Sequence, residues 1–553
     1  DEQAEFGGSL LHETSATIDG KPARAWLADA LAVLKASKNV RLMPRTQAFG
    51  YYAENFVALS ERITDHLAEA SSGARERLWQ VRASEVVIAT GAIERPLVFP
   101  GNDHPGVMLA EAGRTYLNRY GVKVGSRVVI VTAHDSAYRV ALDLAAAGVT
   151  VAAIADIRAN PPAARREEAL SAGLRIISSA TVTETKGRLR VSSIGIATVS
   201  KGTVGEPERL SCDCVLMSGG WTPSVHLYSQ SRGKVVWHAD REMFLPGSPV
   251  QAERSAGACR GTFGLADILA EGHRAGAEAS GTIARASFAV SGDAGVEGGI
   301  LGRLPMKHGA KGKAFVDFQN DVKADDIELA VQEGMRSIEH VKRYTTTGMG
   351  TDQGKTSNVN ALAIVADKRG IPIEAVGTTT FRMPYTPVTF GALAGPHGIE
   401  LFDPIRRTPS HAWAEAQGAV FEDVGNWKRA RYFPQAGEDM HAAVRRECLA
   451  VRGGVGLFDA STLGKIDLQG KDSAELLNRV YTNAWSKLGV GRCRYGLMLR
   501  DDGMVFDDGV TARLGPNHFH MTTTTGGAPR VLAWLEEWLQ TEWPQLEVYC
   551  TSV

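Results

Sequence analysis

The sequence predicts an α/β chain: two nested βαβ domains, then a small helical middle domain, then an α+β domain. Three observations predict it. Strand followed by glycine turn recurs in the first half, as in VVIATG (86–91) and CVLMSGG (214–220). GSRVVIVTAHDSAYRVALDLAAAGVTVAAIADIR (125–158) reads as strand, turn, helix and strand, the length of one βαβ unit. Beyond residue 396 short strands and helices alternate, with an Asp-Gly hairpin signal in LMLRDDGMVFDDGVTARL (497–514).

Taken in order, the opening DEQAEFGGSL reads as a strand end and a glycine turn, and the closing LEVYCTSV as a strand cut midway. Both ends of a longer protein are therefore expected to be missing. In a dinucleotide-binding unit, the acid that ends the second strand accepts hydrogen bonds from the adenosine ribose. Asp1 and Glu2 hold that place if Phe6-Gly7-Gly8-Ser9 is the following turn. An acid there favours NAD or FAD over NADP, whose 2′-phosphate it repels. The glycine fingerprint that belongs about 20 residues earlier is not in the chain. VVIAT before Gly91 suits a strand covered on both faces.

In the 125–158 unit, Val140, Leu144 and Ala147 fall on one helix face. Its turn, Thr132 to Ala137, contains no glycine, so bulky side chains block close approach to a pyrophosphate. This half is read as scaffold, with Asp135 or Ser136 capping the helix; catalytic His134 and Asp135 are the competing reading. The order implies a first dinucleotide domain (1–124) interrupted by a second (125–230) and resumed at 231–285. Gly272, Ala275, Gly276 and Ala279 would let the closing helix approach a cofactor or the sheet closely.

The segment 286–395 is read as a linker and helical middle domain. Its basic run, Arg303, Lys307, Lys311 and Lys313, suits either a phosphate or partner, or plain solvation. DDIELAVQEGMRSIEHVKRY (325–344) predicts one helix, with Asp325 as N-cap and Ile327, Val331, Met335, Ile338 and Val341 in the core. NVNALAIVADKRG predicts another, ending at glycine, and the Pro- and Thr-rich stretch 377–391 marks a boundary.

Between these helices lies GMGTDQGKTS (348–357), which resembles a P-loop at first sight. A P-loop needs four residues between its first glycine and Gly-Lys, after a strand. Gly350 leaves three and Gly348 leaves five, and a helix precedes them. What remains is a turn rich in backbone donors and hydroxyls, able to face a phosphate.

In the last domain, Asp507 and Asp508 follow an apolar strand residue, so one should point inward. Paired carboxylates serve acid/base chemistry or bind an amine; a solvated turn is the plain alternative. HFHMTTTTGGAPRVLAWLEEWL (518–539) predicts a strand, four threonines, a glycine turn and an amphipathic helix.

The totals exclude several classes. With 553 residues the chain suits roughly three to four domains. A net charge of -1 gives no electrostatic reason for nucleic acid or an anionic membrane. Six cysteines do not make a disulfide scaffold, Cys212 and Cys214 are too close for a zinc pair, and no metal site is expected. No run reaches the ~18 apolar residues of a membrane span, and the acidic start is no signal peptide. A cytoplasmic location is expected.

DEQAEFGGSLL, ATGAIERPLVFPGNDHPGVM, CDCVLMSGGWTPSVHLYSQSRGKVVW and HFHMTTTTGGAPRVLAWLEEWLQTEWP together resemble the alpha subunit of heterotetrameric sarcosine oxidase, in order and over essentially the whole chain. DGMVFDDGV and GVGLFDASTLGKIDLQG (454–470) are similar to the aminomethyltransferase (T-protein) domain that closes that subunit. The resemblance implies a two-dinucleotide-binding-domain, flavin disulfide-reductase-like fold and a truncated aminomethyltransferase-like domain over 396–553. It implies oxidative demethylation of sarcosine to glycine and hydrogen peroxide and, with tetrahydrofolate, 5,10-methylenetetrahydrofolate. It implies beta, gamma and delta subunits, FAD on the beta chain, FMN at the alpha–beta boundary and NAD on this chain. Another secondary amine, an opine-type dehydrogenase subunit, or a folate-binding transfer module with a structural front half are the alternatives. No cysteine lies between Cys259 and Cys448, so no iron–sulfur cluster is expected.

Residue by residue, the resemblance assigns Asp1, Glu2, Gln3, Ser9, Ala48, Thr90, Gly91, Gly264, Leu265 and Asp267 to NAD. It assigns Asp507 and Asp508 to the carboxylate that positions folate chemistry, and Thr522, Thr523, Thr524 and Thr525 to the folate side. Arg343, Thr346, Thr347, Gly350, Thr351 and Lys355 are expected to face the FMN phosphate.

Overall fold

The computed structural model describes residues 1–67, 73–292, 298–307, 312–395 and 402–553. The chain forms two compact units, Asp1–Gly395 and Pro396–Val553.

At the centre of the first unit is a five-stranded parallel sheet. Arg127–Thr132 is its middle strand, flanked by Thr150–Asp156 and Ile176–Ile177 on one side and by Cys214–Ser218 and Val107–Leu109 on the other. Val128 to Val131 are fully buried, because both faces are covered. Tyr138, Val140 and Leu144 of the helix Ser136–Ala146 pack on one face. Val182, Ile194 and Ile196 from the antiparallel strands Ala180–Gly187 and Val191–Ser200 pack on the other. Because Val107–Leu109 belongs to this sheet, the sheet starts before residue 125.

Val86–Ile88 pairs in parallel with Glu253–Ser255, a segment that follows the strands of the inserted sheet. That strand is not covered on both faces as expected: Val87 is 38% exposed and Thr90 is exposed. Among the described residues Glu253–Ser255 is its one strand neighbour, which leaves an open side. Thr46–Tyr51, Phe56–Arg62 and Glu76–Arg82 form a separate antiparallel sheet. Asp1 to Gln3 form no strand; their carbonyls accept Thr46 N and Arg45 N, each at 2.8 Å. In the helix Leu265–Ala279, Ala275 is buried, whereas Gly272 and Gly276 face open space.

The single helix expected over 325–344 is two, Ala324–Gln332 and Ile338–Thr345. Gly334, at φ 99°, ends the first, and Met335 N closes onto Ala330 O at 3.0 Å. The N-cap is Lys323, whose N–H donates to the Asp326 carboxylate at 2.9 Å, while Asp325 pairs with Arg303 at 2.7 Å. The apolar pattern survives the break: Ile327, Ile338 and Val341 share a core with Leu362 and Val365 of Asn358–Arg369. That helix ends at Gly370 in the left-handed region, as expected.

The second unit is built on a five-stranded antiparallel sheet. Its order is Cys493–Leu499, Val505–Gly515, His518–Thr523, Gly464–Gln469 and Tyr549–Ser552. The expected hairpin forms its first two strands. The helices Ser473–Val480 and Ala528–Gln540 cover one face, where Leu477, Trp485, Phe519, Met521 and Leu535 form the core. No described helix is long and apolar enough to cross a membrane.

Candidate functional site

A cavity of about 980 Å³ opens in the first unit, beside the N-terminus of Leu265–Ala279. Gly264, the extended N-cap, and Asp267, in the first turn, both line it. A helix start of this kind presents a partial positive charge to an anionic ligand. Glu271 braces the wall, accepting Gly257 N at 2.8 Å. Leu265 packs against the apolar cluster around Ile18 and Ala23.

The other residues expected at NAD lie elsewhere. Asp1 Oδ1 accepts Gln3 N at 2.8 Å, the Glu2 carbonyl accepts Arg62 Nη2 at 2.7 Å, and Ser9 is exposed in the turn Gly8–His12. Ala48 is half-buried beside Tyr51 and Ile88. Thr90 Oγ1 donates to Ser224 O at 2.6 Å, and Gly91 (φ 72°) faces open space. Of the ten, Gly264 and Asp267 are the ones in the cavity lining.

In the inserted sheet the acid that ends the second strand is already engaged. Asp156, at the end of its second strand, is fully buried and bound by Arg158 Nη2 and Tyr138 OH, each at 2.8 Å. Arg158 Nη1 reaches Asp135 at 2.8 Å. Asp135 therefore does not cap the helix through its side chain, contrary to expectation; its carboxylate is drawn to the guanidinium instead. Ser136 Oγ pairs with His134 Nδ1 at 2.8 Å. Burial, reinforced by Arg158 and Arg95, pulls the His134 imidazolium down to about 3, so the ring is neutral. His134 also lines the cavity, as does Glu242. Sequence reasoning did not place either there: one sits in a turn read as scaffold, the other in an unmarked loop.

The loop 348–357 spends its donors internally. Asp317 Oδ2 accepts Gly348 N at 2.7 Å, and Gln319 Oε1 accepts Asp352 N at 3.1 Å and Thr351 Oγ1 at 3.3 Å. Asp352 accepts Gly354 N at 2.9 Å and Thr356 Oγ1 at 3.0 Å. Gly350 abuts the Gln319 side chain, and Thr347 is fully buried. Lys355 Nζ donates to Tyr385 O at 3.0 Å and stands 4.2 Å from the Tyr385 ring, and burial lowers its pKa. Arg343, Thr346 and Thr351 are exposed, with Arg343 3.6 Å from Glu339. In the basic run, Lys307 pairs with Glu206 at 2.7 Å; Lys311 lies outside the described residues.

In the second unit the two neighbouring acids part company, because successive strand residues face opposite ways. Asp507 is 3% exposed and accepts Thr524 N at 2.9 Å, Thr524 Oγ1 at 2.8 Å and Asp508 N at 2.8 Å. Asp508 turns outward and accepts Tyr495 OH at 2.8 Å. The threonines are wired to the sheet and its turn: Thr522 Oγ1 to Val510 N at 2.9 Å, Thr523 Oγ1 to Thr524 O at 3.0 Å, Thr525 Oγ1 to Thr462 at 3.2 Å. Sequence reading missed Tyr495, which only strand register brings beside Asp508.

The class these features define is an α/β chain built on a five-stranded parallel sheet and joined to a GCVT-type domain. Residues 410–553 match the GCVT N-terminal domain family, and residues 311–396 match the sarcosine oxidase A3 domain. The whole chain is 49% identical, over 569 residues, to sarcosine oxidase subunit alpha of Corynebacterium sp. (strain P-1), covering 100% of this chain and 58% of that protein. It is 47% identical, over 561 residues, to the subunit of the same name from Rhizobium meliloti (strain 1021), covering 100% of this chain and 55% of that one. The chain is thus similar along its whole length to sarcosine oxidase alpha subunits, and spans a little over half the length of the curated relatives it matches. Its fold is similar to that of L-proline dehydrogenase from P. horikoshii, with TM-score 0.53 and 18% identity, covering 71% of this chain and 73% of that one.

Proposed function

We propose that this chain works as the alpha subunit of sarcosine oxidase, with beta, gamma and delta subunits, in the cytoplasm. The complex oxidatively demethylates sarcosine with oxygen and tetrahydrofolate, giving glycine, hydrogen peroxide and 5,10-methylenetetrahydrofolate. FAD on the beta chain and FMN at the alpha–beta boundary supply the electron transfer from amine to oxygen. The observation that carries this reading is the full-length similarity of one chain that joins the Gly264 cavity to the Asp507–Asp508 domain.

NAD fits the cavity at Gly264. The positive dipole end of Leu265–Ala279 suits its pyrophosphate, and Gly261 and Gly264 leave the backbone bare beside it. The nicotinamide is the redox-active part of that group when bound. In the second unit we assign the acid/base role to Asp508, which faces outward with Tyr495 OH orienting it, and take it to accept a proton from the folate amine. Asp507 positions the Thr524 turn on the folate side. For the FMN phosphate, the exposed Arg343 and Thr346 are the residues we retain.

The test is reconstitution of the full-length protein with its three partner chains. Sarcosine-dependent peroxide release is expected, with free formaldehyde falling when tetrahydrofolate is added. A complete complex that releases no peroxide would reject the reading.

A further inference from the structure

His134 and Glu242 come from different parts of the first unit and line the same cavity. Glycines hold the two sides together. A Cβ on Gly220 would lie 3.1 Å from Gly299 Cα and 3.8 Å from His134 Cδ2. A Cβ on Gly299 would lie 3.7 Å from Glu242 Oε2 and 3.7 Å from Arg95 Nη1. His134 also bridges Gly298 through the backbone. The cavity therefore has a bare glycine floor between an imidazole and a carboxylate.

Hydrogen bonding fixes the imidazole. Ser136 N donates to His134 Nδ1 at 3.2 Å, and Trp221 Nε1 donates to Ser136 Oγ at 3.3 Å, which leaves the hydroxyl proton for Nδ1. With Nδ1 an acceptor, the proton of the neutral ring sits on Nε2. Burial raises the Glu242 carboxyl above its usual range, and the buried Arg95 beside it opposes that shift; in its ionised form Glu242 presents only acceptors. One side of the floor donates and the other accepts. A primary carboxamide has the complementary pattern, one carbonyl oxygen and one N–H₂.

We propose that His134 and Glu242 seat the carboxamide of a bound nicotinamide, with Nε2–H of His134 donating to its oxygen and Glu242 accepting its N–H. This rests on the NAD reading of the cavity. It gives the inserted sheet, whose own strand-end acid is engaged by Arg158, a part in holding the cofactor of its neighbour. Ionised Glu242 also favours the cationic, oxidised ring over the reduced one.

The assignment is tested on the assembled complex, stripped of nucleotide, by measuring Kd for NAD, NADH, the 3-acetylpyridine analogue of NAD, and ADP-ribose. The analogue lacks the carboxamide N–H, and ADP-ribose lacks the ring. His134→Ala should weaken NAD roughly tenfold and leave ADP-ribose unchanged, as expected for one lost hydrogen bond. His134→Gln should restore part of the loss. Glu242→Ala should erase the preference for NAD over the analogue, and Glu242→Gln the preference for NAD over NADH. If the alanine variants do not fold, the near-isosteric glutamine variants carry the test. NAD affinity and both preferences unchanged in these variants would overturn the assignment. Wild-type protein that takes ADP-ribose but shows no gain from the nicotinamide ring would also overturn it. Wild-type protein that takes none of the four ligands would overturn the NAD reading itself.

Discussion

Asp507 and Asp508 are adjacent and chemically identical, yet the sheet gives them different work. Asp507 is enclosed and satisfies two backbone N–H groups and one hydroxyl. Asp507→Ala should therefore destabilise the second unit by about 1–3 kcal/mol, because buried donors lose their acceptor. Urea unfolding followed by tryptophan fluorescence reads this. Asp508→Ala should change stability by less than about 1 kcal/mol but abolish formation of methylenetetrahydrofolate. Glu94 makes the complementary case in the first unit. Burial, with repulsion from Glu111, raises its carboxyl from 4.5 to about 8. The folded chain then keeps a proton that the unfolded chain releases, so this group's contribution to stability falls as pH rises from about 4.5 to about 8. Glu94→Gln should match wild type near pH 4.5 and be more stable by at least about 1 kcal/mol at pH 8, measured by thermal unfolding across that range.

Among the elements, glycines show how little of their meaning lies in residue type. Gly334 sits at φ 99°, where a side chain is strained, and its turn separates two helices that share one apolar face. Gly334→Ala should cost about 1–3 kcal/mol. Gly276 lies inside a helix with open space around it. Gly276→Ala should stabilise the chain by up to about 1 kcal/mol. Calorimetric scans of the two variants should move in opposite directions. The periodicity of 325–344 correctly marked Ile327, Ile338 and Val341 as core, and equally suggested one unbroken helix. Periodicity reports which side is apolar and is nearly blind to a short break that keeps the phase. GMGTDQGKTS was legible as a loop and not as a P-loop. That its donors are taken by Asp317, Gln319 and Asp352 depends on residues up to about 30 positions away, which no local pattern contains.

At the scale of the whole molecule, the second unit leaves large apolar side chains in solvent, with Val455 at 102%, Leu457 at 99% and Phe458 at 79% exposure. Exposed apolar clusters of this kind mark contact surfaces or aggregation liabilities. The chain on its own should self-associate, and Leu457→Asp with Phe458→Asp should reduce that, as read by light scattering against concentration. The near-zero net charge of -1 offers little repulsion to oppose it. The sequence by itself determined the α/β class, the hairpin carrying Asp507 and Asp508, and the resemblance to sarcosine oxidase alpha subunits, because strand and helix periods, turn glycines and motif order are local and are printed in the chain. The tertiary structure alone decided which acid of the pair faces outward, that Arg158 engages the acid ending the second strand of the inserted sheet, and that His134 and Glu242 line one cavity. Each of these depends on strand register or on contacts between distant segments, and those are settled only when the sheets close and the side chains compete for the same few partners.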